Sequence, residues 1–216
     1  MTAPAVLWGS NGAASFAVHA VLEQTGHPYE ARWLDLAPPD APRPAELLAL
    51  SAEGRVPVLQ LDGQVLTESA AICLHLADLH PEAGLVLPAP GTAERAQLLR
   101  RLVFLTNTVQ EAMLRFLYPH RYVDDPTAGP AVKRRAEERL HELFDRLEDA
   151  LGGAYVVGDA PTVADVYLFM LVRWGRHLSP PAWSRPRLRD HWLRVLQLPG
   201  VARAVETEGL DERPPR

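Results

Sequence analysis

The sequence predicts an α/β domain followed by an all-helical domain, on three observations. Short strand-like apolar runs alternate with helical patterns up to about residue 80 and then stop. The segment "PEAGLVLPAPG" follows, with three prolines and two glycines, a composition that suits a connection between compact units. Beyond it the apolar residues keep only the three-and-four spacing of helices. The expected division is residues 1–81, a linker over 82–91, and a helical domain over 92–216. With 216 residues the chain can give both domains a core of their own.

The elements follow in order. "PAVLW" at 4–8 reads as a strand and runs into the turn "GSNGAAS". Phe16, Ala20, Val21 and Leu22 then recur at helical spacing as far as Gly26. "YEARWLDL" at 29–36 alternates as a second strand, and the proline-rich "APPDAPRP" separates it from the short helix "AELLAL". "VPVLQLD" and "QVLTES" flank Asp62-Gly63, the strongest two-residue hairpin signal. The helix "SAAICLHLADLH" comes next and is stopped by Pro81 and Gly84. The second domain should hold helices over 93–118, 131–151, 162–176 and 187–205. Thr162 and Asp165 have the spacing of a reciprocal cap at the start of the third, a folding role.

Composition narrows the function. With 22 Lys and Arg against 27 Asp and Glu, and no basic run interleaved with aromatics, a nucleic-acid surface is not expected. No signal peptide is evident and no apolar run nears the roughly 20 residues that span a bilayer, so no membrane association is expected and a cytoplasmic location is. The single cysteine, Cys73, excludes an intrachain disulfide and lies in an apolar helix, where it reads as a small hydrophobe. The histidines lack metal-ligand spacing, so no metal is expected.

A four-stranded sheet made of one βαβ and one ββα unit, with Val-Pro opening its third strand, is the thioredoxin-like arrangement. With "GRVPVLQLD", "LTESAAICLHLADLHPE", "VVGDAPTVADVYLFMLVRWGRHL" and "PGVARAVETEGL" in this order, the chain resembles a glutathione transferase over nearly its whole length, most closely the bacterial beta class. The resemblance implies conjugation of the glutathione thiolate to a small hydrophobic electrophile, with glutathione as co-substrate, and a homodimer. Two alternatives stay open: a glutathione-dependent isomerase or reductase on the same site, and a non-catalytic binding protein of this architecture.

The resemblance also assigns residues. It makes the Val56-Pro57 bond cis, so that the Val56 backbone can pair with a peptide, and gives Glu68 the ammonium and Ser69 the α-carboxylate of the γ-glutamyl end. A helix start suits that carboxylate because its first N–H groups lack intrahelical partners. A serine there also reads as a plain cap. Leu36, Arg55, Asn107 and Gln110 complete the implied glutathione set.

The thiol, which otherwise ionises near pH 8.5, needs a donor at the end of the first strand, and Ser10 and Ser15 are the candidates, with Ser15 reading equally as a helix cap. The beta class carries a cysteine where Ala14 stands, a tyrosine where Gly9 stands, and His, Lys and Lys where Gln110, Glu111 and Pro39 stand. Met113, Leu117, Tyr118 and Trp174 are the implied electrophile wall, an apolar set between the two domains that core packing would also explain.

Overall fold

The computed structural model describes residues 4–36 and 42–210. They fall into two compact units, one joining the described residues up to Leu87 with those from Leu196 on, and one of residues 88–195. The first unit thus includes residues 196–210.

In the first unit, strands β1 (Ala5–Gly9), β2 (Tyr29–Trp33), β3 (Val58–Leu61) and β4 (Gln64–Leu66) form, among the described residues, a four-stranded sheet in the order β2-β1-β3-β4. β1 runs parallel to β2 and antiparallel to β3, and β3 runs antiparallel to β4. The central strands β1 and β3 are mostly buried, with Val6 and Gln60 half-buried, while no residue of the edge strands β2 and β4 is fully buried. β2 ends at Trp33, three residues before the alternation in the sequence does. Asp62 and Gly63 both take positive φ, 48° and 76°, the conformation that a two-residue hairpin demands.

Helix α1 (Ser15–Thr25) is buried from Ser15 to Leu22 and packs on α3 (Ser69–Leu79) and α9 (Pro199–Thr207). The short α2 (Ala45–Leu50) inserts Leu47 beside Trp8 and Val58. The approach of α9 to α1 depends on Gly200, where an added Cβ would lie 2.4 Å from the Gln24 backbone nitrogen. The Gly200 N–H donates to Gln24 Oε1 at 2.8 Å, and Arg203 donates to Glu23 at 2.8 Å.

The second unit begins with a helical path from Ala93 to Leu117 in which α4 (Ala93–Phe104) and α5 (Glu111–Leu117) are joined by a π-helical turn, Leu105–Gln110. α6 (Gly129–Ala150) and α8 (Pro186–Val195) accompany α7 (Val163–Trp174), which is buried on every side. The helix expected over 187–205 is two helices. Pro199 opens α9 and Leu198 before it is extended, because a residue preceding proline is pushed out of helical geometry.

The cap predicted at Thr162 is present. Ala164 N–H donates to Thr162 Oγ1 at 3.1 Å, and Asp165 Oδ2 accepts the Thr162 N–H at 2.8 Å. The other Asp165 oxygen accepts from Val156 N–H at 2.7 Å and bonds His191 Nε2 at 2.8 Å, so a buried carboxylate is satisfied on both sides. Among the described residues no helix is long and apolar enough to cross a membrane.

Candidate functional site

Sheet register draws three separated stretches together. β1 and β3 pair Trp8 with Val58, so continuing that antiparallel register by two residues sets Ser10 opposite Val56. β3 and β4 pair Leu59 with Leu66, and the same continuation sets Glu68 beside Pro57. Ser10, Val56-Pro57 and Glu68-Ser69 therefore share one end of the sheet. The Val56-Pro57 bond there is cis, Pro57 is buried, and the Val56 side chain packs against the cluster around Trp8, Leu47 and Val58. A second cis bond, Ser179-Pro180, has no counterpart in the sequence reading.

Glu68 has φ 64° and ψ 97°, a conformation that non-glycine residues adopt only where something holds them to it. It is exposed, and it is the capping residue of the eleven-residue helix α3, yet its side chain makes no capping bond. Ser69 is the first helical residue and is buried, so the plain-cap reading of this serine does not describe its position. The start of α3 is thus not capped by the Glu68 side chain, whose exposed carboxylate stands on a strained backbone.

The two candidate hydroxyls differ sharply. Ser15 is fully buried: its Oγ accepts the Ser10 N–H at 3.0 Å and donates to the Ser10 carbonyl at 3.0 Å. Its one proton is thereby committed to the turn. Ser10 is 8% exposed, and among the described residues its hydroxyl has no bonded partner. Gly9, where the beta class has tyrosine, has Trp33 against it. A Cβ at Gly9 would stand 2.6 Å from the Trp33 ring and 3.1 Å from Ser15 Oγ.

The turn between them is held from behind by residues that no spacing in the sequence announces. Gly12, at φ 68°, donates its N–H to Glu208 Oε2 at 2.6 Å, and His19 Nδ1 lies 2.8 Å from Glu208 Oε1. Trp33 meets the His19 ring edge-on at 5.0 Å. Nearby, burial opposes ionisation of Glu23, but hydrogen bonds from Tyr29 and Arg203 outweigh it and hold the carboxyl below its ordinary value. Burial, and then the bond to Glu23, push the Tyr29 phenol upward. A histidine alone on the apolar face of α1 was the one available hint of a buried partner.

The remaining assigned residues are more scattered. Leu36 is half-buried at the edge of the described segment, and Pro39 lies outside the described residues. Arg55 is exposed and pairs with Glu53 at 2.9 Å. In the second unit Asn107 and Gln110 sit in the π-helical turn, a distortion frequent at functional sites. Asn107 is exposed, whereas the Gln110 carboxamide oxygen accepts a short bond from the Tyr167 hydroxyl.

Met113 and Trp174 are buried, Leu117 is half-buried, and Tyr118 lies under the Arg121 guanidinium at 4.2 Å. Among the described residues no group of three or more His, Cys, Asp and Glu side chains could hold a metal ion.

Comparison with known proteins gives this arrangement its family. A family model of the glutathione S-transferase N-terminal domain matches residues 13–79, and one of the C-terminal domain matches residues 106–199. The glutathione S-transferase GST-4.5 of Xanthomonas campestris pv. campestris is 30% identical over 207 residues, 95% of this chain and 99% of that protein. A sphingomonad glutathione S-transferase solved in complex with glutathione superposes with a TM-score of 0.82 at 33% identity, over 95% of this chain and all of that one. The beta-class enzyme of Sphingomonas chungbukensis does so with a TM-score of 0.82 at 32% identity, over 95% and 100%. With both domain models matched in order and relatives aligned along nearly its whole length, this chain belongs to the glutathione S-transferase family.

Proposed function

We propose that this chain conjugates the thiolate of glutathione to a small hydrophobic electrophile, holding glutathione with the Val56 backbone, Glu68 and Ser69 and its sulfur with the Ser10 hydroxyl. The observation that carries the reading is the strained Glu68, whose side chain makes no capping bond, directly ahead of the first turn of α3 at the sheet end shared with Ser10 and Val56. Glu68 supplies an anion for an ammonium group. The first turn of α3 and Ser69 supply donors and positive potential for a carboxylate. Val56, at the mouth of β3, supplies the edge against which a peptide backbone can lie.

Among the described residues the Ser10 hydroxyl has no bonded partner and can donate its proton, and a donor fixed before the reaction stabilises a thiolate without reorganisation. Ser15 orients Ser10 through both of its backbone groups. A reductase is disfavoured by Cys73: it is the only cysteine in the chain, it is fully buried, and burial pushes its thiol upward, so no protein thiolate is available for disulfide exchange. The reading includes a cytoplasmic homodimer. Leu99 and Val103, one turn apart and exposed on α4, and exposed Val65 on β4 are apolar surface that a second copy would cover.

The test is a pH titration of the thiolate absorbance of bound glutathione in wild type, Ser10→Ala and Ser15→Ala, with calorimetric glutathione affinity alongside. Ser10→Ala should raise the titration midpoint and lower kcat at neutral pH, by up to about 2.7–4 kcal/mol of transition-state stabilisation, while affinity hardly changes. A wild-type protein that binds no glutathione rules the reading out.

A further inference from the structure

We infer that Glu208 is a positioning residue for thiol activation: a buried carboxylate from the far end of the chain fixes the turn that presents Ser10. The inference rests on the proposed function above and extends it to a residue outside the glutathione-binding set. Glu208 follows α9, its side chain is wholly buried, and its two oxygens make different bonds. Oε2 takes the Gly12 N–H at 2.6 Å, and Oε1 takes His19 Nδ1 at 2.8 Å from a His19 side chain that is also wholly buried.

A buried carboxylate is costly unless its lone pairs are satisfied, and apolar replacements of such groups are often no less stable. What this carboxylate supplies and an apolar residue could not is an acceptor for one particular amide. Gly12 sits at φ 68° in the middle of "SNGAAS", and its N–H fixes the plane of the Asn11-Gly12 peptide. On one side of that peptide is Ser10; on the other are the Ala13 N–H, which donates to the Ser10 carbonyl at 3.1 Å, and Ser15, whose hydroxyl closes on Ser10. Glu208 thus holds from behind the same turn that Ser15 holds from below. α9 delivers it there because Gly200 lets that helix lie directly on α1, in which His19 is embedded.

Two variants separate reach from charge. Glu208→Gln keeps the length and an acceptor for Gly12 but loses the charge, whereas Glu208→Asp keeps the charge and withdraws the oxygens by one methylene. Positioning predicts that Asp is the damaging change. In Glu208→Asp the Gly12 amide should lose its protection from hydrogen exchange, kcat with glutathione and 1-chloro-2,4-dinitrobenzene should fall about tenfold, and the thiolate midpoint of bound glutathione should rise. KM for the electrophile should stay put, and Glu208→Gln should restore kcat to within about threefold of wild type.

An Asp variant with an exposed Gly12 amide but wild-type kcat and thiolate midpoint overturns the inference, as does a Gln variant impaired as badly as Asp. Should the Asp variant fail to fold, Gln alone decides by the same threefold limit. Wild-type protein that binds no glutathione defeats the functional reading instead, and Gly12 amide exchange in the two variants still reports whether Glu208 holds the turn.

Discussion

The Ser15 hydroxyl is bonded twice to one residue, accepting the Ser10 N–H and donating to the Ser10 carbonyl, each at 3.0 Å. Ser15→Ala therefore strands a buried N–H, while the Ser10 carbonyl keeps the bond from Ala13. The expected loss is about 1–3 kcal/mol of stability, read from the denaturant midpoint. Ser10→Ala removes a hydroxyl with no bonded partner among the described residues and should leave the midpoint in place. A Ser15→Ala protein as stable as wild type contradicts this double bond to Ser10.

Glu68→Gly separates stability from binding. At φ 64° and ψ 97° a non-glycine residue carries strain of about 1–3 kcal/mol, which glycine relieves at the cost of about 0.5–1 kcal/mol from its freer unfolded chain. The variant should be as stable as wild type or more so, yet bind glutathione more weakly by about 1.5–3 kcal/mol, the scale of a hydrogen bond to a charged group. Calorimetry and denaturation on the same preparation check both halves. Undiminished affinity in Glu68→Gly removes the carboxylate from the site.

Local chemistry was legible in the sequence and long-range chemistry was not. Asp62-Gly63, the helix stop at Pro81 and the Thr162–Asp165 cap each depend on neighbours within a few positions, and all three stand in the structure. Glu68-Ser69 was legible only through family resemblance, since a serine at a helix start is ordinarily a cap. His19 and Glu208 lie 189 positions apart, and no periodicity links them until α9 has docked on α1. The π-helical turn at Leu105–Gln110 keeps the apolar spacing of a helix on either side, so nothing in the pattern marks it. Pro199 did carry the signal that splits the last helix, but apolar periodicity on both sides of it spoke for continuity.

Acid should weaken the protein at His27. Its Nδ1 lies 2.9 Å from His80 Nε2, and burial first, then the neighbouring His80 charge, lower its proton affinity in the folded state, against an opposing pull from Asp62. Glu82, 3.3 Å from His80 Nδ1, steadies the other ring. Because the folded value lies below the ordinary 6.5, the unfolded chain takes up the proton first. Stability from this group is complete above about pH 6.5 and is lost as pH falls toward the folded value. Melting temperature should therefore decline more steeply between pH 7 and 5 in wild type than in His27→Gln. Parallel profiles would show that the pair has no such effect.

Gly200→Ala should lift the end of the chain off α1. An added Cβ would lie 2.4 Å from the Gln24 backbone nitrogen and 2.5 Å from the Ala20 carbonyl oxygen, and backbone atoms of a buried helix cannot swing aside as a side-chain tip can. α9 must shift instead, which strains or breaks the Gly200 N–H bond to Gln24 Oε1 and the Arg203 bond to Glu23. Overpacking of this kind costs about 1–3 kcal/mol. Val201→Ala is the control: it empties space at the neighbouring buried position without adding an atom at the contact, and costs stability by leaving a cavity. The two variants should lose comparable stability, but only Gly200→Ala should release Glu208 from the Ser10 turn, deprotect the Gly12 amide and lower kcat. Equal kcat in the two variants would mean that α9 contributes stability alone.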